Sequence, residues 1–379
     1  MYKKHNRPRI LYVAAESAFF VTHRLPLAMA ARKAGYEVHV ATPGGRMLDE
    51  IHDSGLRWHK IAVRRKTRLL SELGAVPNLA LLYARVQPDI VHHIAIKAVL
   101  YGTIAARFAR VPAVVNAVCG LGYAFGERRG RSIESVGITF AFGRLARHPR
   151  TRTIFQNEED RQEFIDRAWI RGDDSVLIRG SGVDMTRFSP STEHLPDPPL
   201  VLFASRLLAS KGVREFTEAA RIVRERGIEA RFAIAGEPDP DNPDSITHHQ
   251  LSLWCEERMV EIWGRRSDML SVMRQASLFV LPTHYREGVP KVLIEAAAVG
   301  VPAITTDTPG CRDIVLAGQT GLLVPIRNPQ AVADAVIELL GDPERRAAMG
   351  RRAREHAVAR FSLDYVVRAT LDVYQELLG

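Results

Sequence analysis

The chain has 379 residues, 46% hydrophobic and 25% charged, with a formal net charge of +9. At about 100–200 residues per domain this length holds two domains, and the composition excludes a disordered chain. Its three cysteines, Cys119, Cys255 and Cys311, lie too far apart for a disulfide framework or a zinc site and fit a reducing compartment.

In chain order, the apolar run Ile10 to Ala15 is too short for the core of a signal peptide. Arg9 to Ala14 instead reads as a strand, Leu25 to Ala34 as a helix stopped by Gly35, and Glu37 to Ala41 as a second strand. Asp89 to His92 and Ala113 to Val118 are further strands, with a helix over Leu100 to Ala109 between them. These runs are continuously apolar, as parallel strands covered on both faces must be. No run of 18 uncharged apolar residues could cross a membrane.

The pattern restarts at Pro199 to Ala204. A helix over Val213 to Arg226 follows, then strands over Ala230 to Ala235, Val260 to Trp263, Ser277 to Leu281 and Val301 to Thr306. Two successive β-α series predict two doubly wound α/β domains, spanning 1–185 and 186–361, with a ligand in the cleft between them. The proline-rich stretch 188–199 reads as the linker. Leu363 to Leu378 carries Val366, Val367, Leu371, Tyr374 and Leu378 on one face. That helix, within 362–379, is expected to pack back on the N-terminal domain.

Charge divides unevenly. Residues 1–190 hold 30 Lys+Arg and 17 Asp+Glu, and the remainder 22 and 26. The basic side chains cluster at Arg64-Arg65-Lys66 with Arg68, at Arg128-Arg129 with Arg131, and at Arg144, Arg147, Arg150 and Arg152. An excess of this sign on one half points to an anionic membrane surface or a phosphorylated acceptor. Nucleic acid is disfavoured: no helix-turn-helix, zinc-finger or RNP pattern is present, and aromatics do not interleave with the basic runs.

Two segments carry chemistry. Ser205-Arg-Leu-Leu-Ala-Ser-Lys-Gly212 follows a strand and opens a helix. Arg206 offers a fork, and Lys211 a point charge, to a diphosphate at a helix N-terminus. His284-Tyr-Arg-Glu-Gly-Val-Pro-Lys-Val-Leu-Ile-Glu295 places Glu287 in a turn and Pro290 at the expected first helical position. Gly288 permits close backbone approach to a ligand. Glu295, in an apolar helix, needs a polar partner such as a ribose diol. Asp239-Pro-Asp241 looks like an acidic metal pair but reads as a proline-rich loop.

Arg206 and Lys211, then Glu287 and Glu295, then Thr306-Asp-Thr-Pro-Gly-Cys-Arg-Asp313 and Gly321-Leu-Leu-Val-Pro325, closely resemble the family 4 glycosyltransferases of GT-B fold. Phe19-Phe-Val-Thr-His-Arg-Leu-Pro-Leu-Ala28, Val91-His-His-Ile-Ala-Ile-Lys97 and Gly120-Leu-Gly-Tyr123 resemble the branch that builds bacterial capsule, O-antigen and related lipid-linked glycans. The resemblance implies a retaining, metal-independent enzyme with no cofactor. Such an enzyme moves a hexose or N-acetylhexosamine from a nucleoside diphosphate sugar, expected to be UDP-linked, to a lipid-linked saccharide. It would act in the cytoplasm, peripherally attached to the inner face of the cytoplasmic membrane.

The resemblance also implies roles. Arg206 and Lys211 would neutralise the leaving diphosphate, and Glu287 with the backbone of Gly288, Val289 and Pro290 would sit by the sugar and phosphates. Glu295 would hold the ribose, and Gly236 and Trp263 would line the nucleotide pocket. His23, Arg24, Lys97, Gly120 and Gly122 would face the acceptor. Relatives often carry histidine where this chain has Cys119, so catalytic assistance passes to His93, with His92 and His23 as alternatives. An epimerase or sugar-nucleotide hydrolase on the same fold is the rival enzyme, and a non-catalytic sugar-nucleotide-binding protein the rival class. An NAD-dependent oxidoreductase is disfavoured, because Ala15-Glu-Ser-Ala-Phe-Phe20 after the first strand holds no glycine.

Overall fold

The computed structural model describes residues 6–63, 74–120, 148–191, 196–240 and 242–379. The basic clusters at Arg64 to Arg68 and Arg128 to Arg131, together with Arg144, Arg147 and Gly122, lie outside the described residues. The chain divides into two units, 1–182 with 363–379, and 183–362. The crossing falls between Gly182 and Val183, so the proline-rich stretch 188–199 belongs to the second unit and does not bridge the two.

The first unit is built on a seven-stranded sheet of order β3-β2-β1-β4-β5-β6-β7. Its strands are β1 (Arg9–Ala14), β2 (Glu37–Thr42), β3 (Arg57–Lys60), β4 (Ile90–Ile94), β5 (Ala113–Val118), β6 (Thr151–Phe155) and β7 (Ser175–Leu177). All neighbours pair in parallel. The four central strands are the apolar runs seen in the sequence. β3 carries Arg57, Trp58, His59 and Lys60 at a half-exposed edge, and therefore has no apolar run to reveal it.

Two apolar clusters cover the faces of this sheet. Val91, Tyr101, Val114, Phe155 and Phe164 lie on one side, and Ile10, Phe20, Val40 and Ile90 on the other. The helix Leu363–Leu378 completes the second cluster with Val366, Val373, Tyr374 and Leu377. Its buried stripe therefore turns slightly from the one read in the sequence, since Val367, Leu371 and Leu378 are only partly buried.

The second unit holds a six-stranded parallel sheet of order β10-β9-β8-β11-β12-β13. Its strands are β8 (Leu200–Ala204), β9 (Arg231–Ala235), β10 (Glu261–Gly264), β11 (Leu278–Leu281), β12 (Ala303–Thr306) and β13 (Gly321–Val324). The chain runs outward from β8 to β10, then returns to place β11 on the other side of β8. The strand order therefore reverses between β8 and β11, and ligands of open α/β sheets bind at the carboxyl ends of such a pair. The helix Val213–Glu225 buries Val213, Phe216, Ala220 and Val223 and turns Arg221 to Glu218 and Glu225 outside. Each fully buried side chain the size of valine or phenylalanine contributes about 1.5–3 kcal/mol.

Candidate active site at the carboxyl ends of β8 and β11

Three turns meet beyond the second sheet. The turn after β8 runs from Ser205 through a 3-10 segment, Ala209–Lys211, into the helix Val213–Glu225. The turn after β11 runs from Pro282 to Pro290 and into the helix Lys291–Ala298. The turn after β12 follows Thr306 and ends at Gly310.

Backbone contacts fuse these turns. The Ser210 carbonyl accepts the N–H of His284 at 2.9 Å, the N–H of Tyr285 at 3.1 Å and the Thr283 hydroxyl at 3.1 Å. Thr306 Oγ1 donates to the Thr283 carbonyl. Two glycines are required. Gly212 has φ +80°, and a Cβ there would lie 2.2 Å from the Pro282 carbonyl oxygen. Gly310 has φ +77°, and its Cβ would fall 1.3 Å from the Gly288 oxygen. No side chain fits either place.

Lys211 and Glu287 project from these turns and form an ion pair, with side chains only 10% and 17% exposed. The Lys211 ammonium also lies 5.0 Å from the centre of the Tyr285 ring, close enough for a cation–π attraction. On the same turn as Lys211, Arg206 Nη1 donates to Asp239 Oδ2 at 3.2 Å. Asp239 is thus a carboxylate partner of Arg206, while Asp241 lies outside the described residues. Asp244 braces the same turn, its Oδ2 accepting the Ser210 N–H at 2.8 Å. Sequence reasoning did not find Tyr285, Asp239 or Asp244 as site partners. No spacing signals them, because each acts across a gap between strand ends.

Pro290 is the residue before the helix, with ψ 116°, rather than its first helical residue; Lys291 takes that position. Val289 is buried. Glu295 sits one turn in, 14% exposed, with Lys291 Nζ 3.6 Å from its Oε1. Burial pushes its carboxyl pKa up, opposed by Lys291 and more weakly by Arg187. Gly236 ends β9, and a Cβ there would lie 2.0 Å from the Ser205 oxygen. Its N–H bonds the Gly264 carbonyl at 2.7 Å, linking the β8, β9 and β10 ends. Trp263 gives its indole N–H to Glu261 at 3.0 Å on its own strand. Arg206 and Lys211 thus share the turn after β8, Lys211 meets Glu287 on the turn after β11, Gly236 abuts Ser205, and Trp263 lies on the edge strand β10.

The remaining candidates belong to the first unit. His93 corrects the expectation placed on it. It is fully buried, with Nδ1 2.8 Å from Asn116 Oδ1 and Nε2 3.0 Å from the Tyr83 hydroxyl. Burial lowers its pKa to about 4. Its ring fills the space above Gly102, where a Cβ would come within 2.3 Å. Both nitrogens are engaged inside the core, so His93 is a packing residue and not a group open to substrate.

His92 is equally buried, with Nδ1 2.6 Å from the Tyr374 hydroxyl. His23 is half-buried, lies tilted against the Phe19 ring at 4.3 Å and meets Ser181 Oγ at 3.2 Å. Arg24 is 3% exposed, and its Nη2 donates to Cys119 Sγ at 3.4 Å. Gly120 follows with φ +103°. Lys97 is half-buried in the first turn of the helix Ile96–Phe108, after Ala95 at φ 68° and ψ 159°. That backbone region is nearly restricted to glycine and marks strain at the β4 end.

A basic pair and a carboxylate at the switch point of a parallel sheet suit a phosphorylated nucleotide ligand. Known proteins agree with that class. Residues 184–356 match the family described as glycosyl transferases group 1, and residues 9–145 match the glycosyl transferase 4-like family. Between them these cover both units, and the chain belongs to the glycosyltransferases. It is 25% identical over 364 residues to the capsular polysaccharide biosynthesis glycosyltransferase CapM of Staphylococcus aureus, covering 92% of each chain. It is 24% identical to the N,N'-diacetylbacillosaminyl-diphospho-undecaprenol alpha-1,3-N-acetylgalactosaminyltransferase of Campylobacter jejuni, over 98% of this chain and 99% of that one. Among solved structures, Anabaena HepE in complex with UDP and glucose superposes with a TM-score of 0.80 at 16% identity, over 98% of this chain and 100% of that one. The fold is therefore GT-B: two Rossmann-like units, each with its own parallel sheet.

Proposed function

We infer that the protein is a retaining, metal-independent transferase. It moves a hexose or N-acetylhexosamine from a UDP-sugar to a saccharide carried on a lipid diphosphate, in the synthesis of a cell-surface polysaccharide. The observation that carries this reading is the Lys211–Glu287 ion pair, with Arg206 on the same turn as Lys211, at the carboxyl ends of β8 and β11. The diphosphate-linked acceptor is supported by the name of the Campylobacter relative, and the UDP donor by the ligand of HepE.

In this reading Arg206 and Lys211 take the negative charge that builds on the diphosphate as the glycosidic bond breaks. Fixed cations in a site that excludes water stabilise such charge better than mobile solvent. Glu287 leaves its lysine partner to face the positive charge developing on the sugar. The backbone of Gly288 to Pro290 carries it, and Gly310 holds that backbone in place. Glu295 accepts the ribose hydroxyls, and Gly236 and Trp263 border the base. Glu287→Gln should then cut kcat while leaving donor binding largely intact.

No helix among the described residues is long and apolar enough to cross a membrane. We place the protein in the cytoplasm, on the inner face of the membrane that carries its acceptor. The first unit's excess of basic side chains supports this, as each contributes about 1 kcal/mol near an anionic surface. Salt should release the protein from anionic vesicles, and Arg64→Glu with Arg65→Glu and Arg68→Glu should weaken binding. Equal binding to neutral vesicles would count against this placement.

The direct test is a panel of radiolabelled nucleotide sugars with lipid-diphosphate saccharides, run with and without chelator. Product anomers are then assigned by NMR. Transfer from a UDP-sugar with retained configuration in chelator is the expected result. Inversion, or activity lost with the metal, would overturn the respective part of the reading.

A further inference from the structure

Arg24 joins the helices Ser17–His23 and Leu25–Lys33 in the first unit. Its contact with Cys119, which follows β5, sets it at the carboxyl end of the first sheet. Only 3% of it is exposed. No carboxylate pairs with it among the described residues. Its Nε–H is buried without an acceptor, and Nη2 meets only the thiol of Cys119 at 3.4 Å, a weak acceptor.

The charged groups of the same unit show the ordinary arrangement. Arg9 pairs with Glu37 at 2.9 Å, and Arg152 pairs with Glu376. Around Arg24 lie Tyr12, Tyr374, His92 and Cys119, none of them a carboxylate. Burial pushes both phenols up and the His92 imidazole down. Tyr374 donates to the Tyr12 hydroxyl at 2.9 Å and meets His92 Nδ1 at 2.6 Å, so these polar groups are largely spent on one another. His92 Nε2 is likewise buried with no partner.

A buried cation with nothing opposite it is among the least favourable arrangements in a core. The edge left open is the informative part. Nε–H and an Nη2–H lie on one side of the guanidinium and form the side-on fork that matches two oxygens of a phosphate. The nearby imidazole, kept neutral, adds no competing positive charge.

We propose that Arg24 receives a phosphate group of the acceptor, so that the first unit recognises its substrate by the diphosphate linkage as well as by the sugar. This rests on the lipid-diphosphate acceptor proposed above. It makes Arg24 a specificity residue whose effect falls on the acceptor and not on the donor.

The test uses the full chain saturated with UDP, so that the donor site is filled. Inorganic pyrophosphate is then titrated calorimetrically into the wild type, Arg24→Lys and Arg24→Gln. A dissociation constant raised at least tenfold in Arg24→Gln, and less in Arg24→Lys, is expected. In steady state, pyrophosphate should compete with the lipid-diphosphate saccharide in the wild type. Arg24→Gln should raise the acceptor KM for that substrate at least tenfold more than for the same saccharide on a simple alkyl group.

Equal penalties on the two acceptors, or pyrophosphate binding that is unchanged in Arg24→Gln, would make Arg24 a structural residue. If Arg24→Gln does not fold, the Arg24→Lys titration and the wild-type competition decide alone, and an absence of competition would overturn the inference. If the wild type glycosylates no lipid-diphosphate saccharide, the acceptor reading fails. The pyrophosphate titration still reports separately whether Arg24 binds the anion.

Discussion

Lys211 on the turn after β8 and Glu287 on the turn after β11 form an ion pair that ties together two turns far apart in the chain. Each charge holds the other in a site with little solvent. Removing one partner therefore does two things. Lys211→Ala deletes a cation aimed at the leaving diphosphate, and turnover should fall by about 10²–10³-fold. It also leaves Glu287 without its cation, which should lower stability by up to about 3 kcal/mol. The double variant Lys211→Ala with Glu287→Ala should be more stable than Lys211→Ala alone, although no more active. Denaturant unfolding of Lys211→Ala, Glu287→Ala and the double variant beside the wild type checks this. A double variant that is the least stable of all would mean that the pair does not couple.

Gly310 supports Glu287 from behind. A methyl group there would overlap the Gly288 carbonyl, and φ +77° is strained for alanine in any case. Gly310→Ala should push the 286–289 turn off the β12 turn and misplace Glu287. The expected result is a kcat reduced at least tenfold together with a lower melting temperature. Gly318→Ala provides the comparison, since Gly318 has φ +71° with open space around it. It should carry the backbone strain without the loss of turnover.

The central strands were legible because a strand covered on both faces is dominated by apolar residues: β8 and β11 are apolar throughout, and β1 and β4 are so apart from Arg9, His92 and His93. Edge strands escape that constraint. β3 has no buried residue, and β7 is three half-buried residues. Arg206, Lys211, Glu287 and Gly236 could be singled out because each lies just past a strand end. What the sequence did not show was pairing: Glu287 with Lys211, or Arg206 with Asp239. His93 misled for a related reason. A histidine near a strand end looks catalytic until Tyr83, Asn116 and Gly102 are found packed around it.

His93 makes a prediction about pH. Its folded pKa, about 4, lies below the ordinary imidazole value of 6.5, so the unfolded chain binds the extra proton first as pH falls. Stability should drop from about pH 6.5 downward and level off near pH 4, with a full contribution of about 3 kcal/mol. His39, also lowered to about 4, adds to the same acid loss. His93→Gln should cost about 1–3 kcal/mol at pH 7 through the lost core hydrogen bonds, but show a smaller further drop between pH 7 and 4.5. The pH dependence of kcat between 6 and 8 should keep its shape. A limb of that profile that disappears in His93→Gln would return the imidazole to the reaction.

Glu295 should show a conflict between stability and binding. Burial raises its carboxyl pKa above the ordinary glutamate value of 4.5 even with Lys291 beside it. The folded state therefore holds the proton longer than the unfolded chain. Its contribution is most favourable below pH 4.5, is lost as pH rises through the folded pKa, and stays lost at neutral pH. Glu295→Gln removes that cost, so without ligand its melting temperature should equal or exceed the wild type at pH 7, with the advantage fading toward pH 4. The same change takes away a charged acceptor for the ribose hydroxyls, worth about 1.5–3 kcal/mol. Because that contact is made equally in the ground and transition states, the donor KM should rise about 10–100-fold with kcat little changed. Calorimetric melting at two pH values, beside UDP titration, measures both sides. A Glu295→Gln protein that is less stable at pH 7 yet binds UDP like the wild type would show that the carboxylate serves the fold and not the nucleotide.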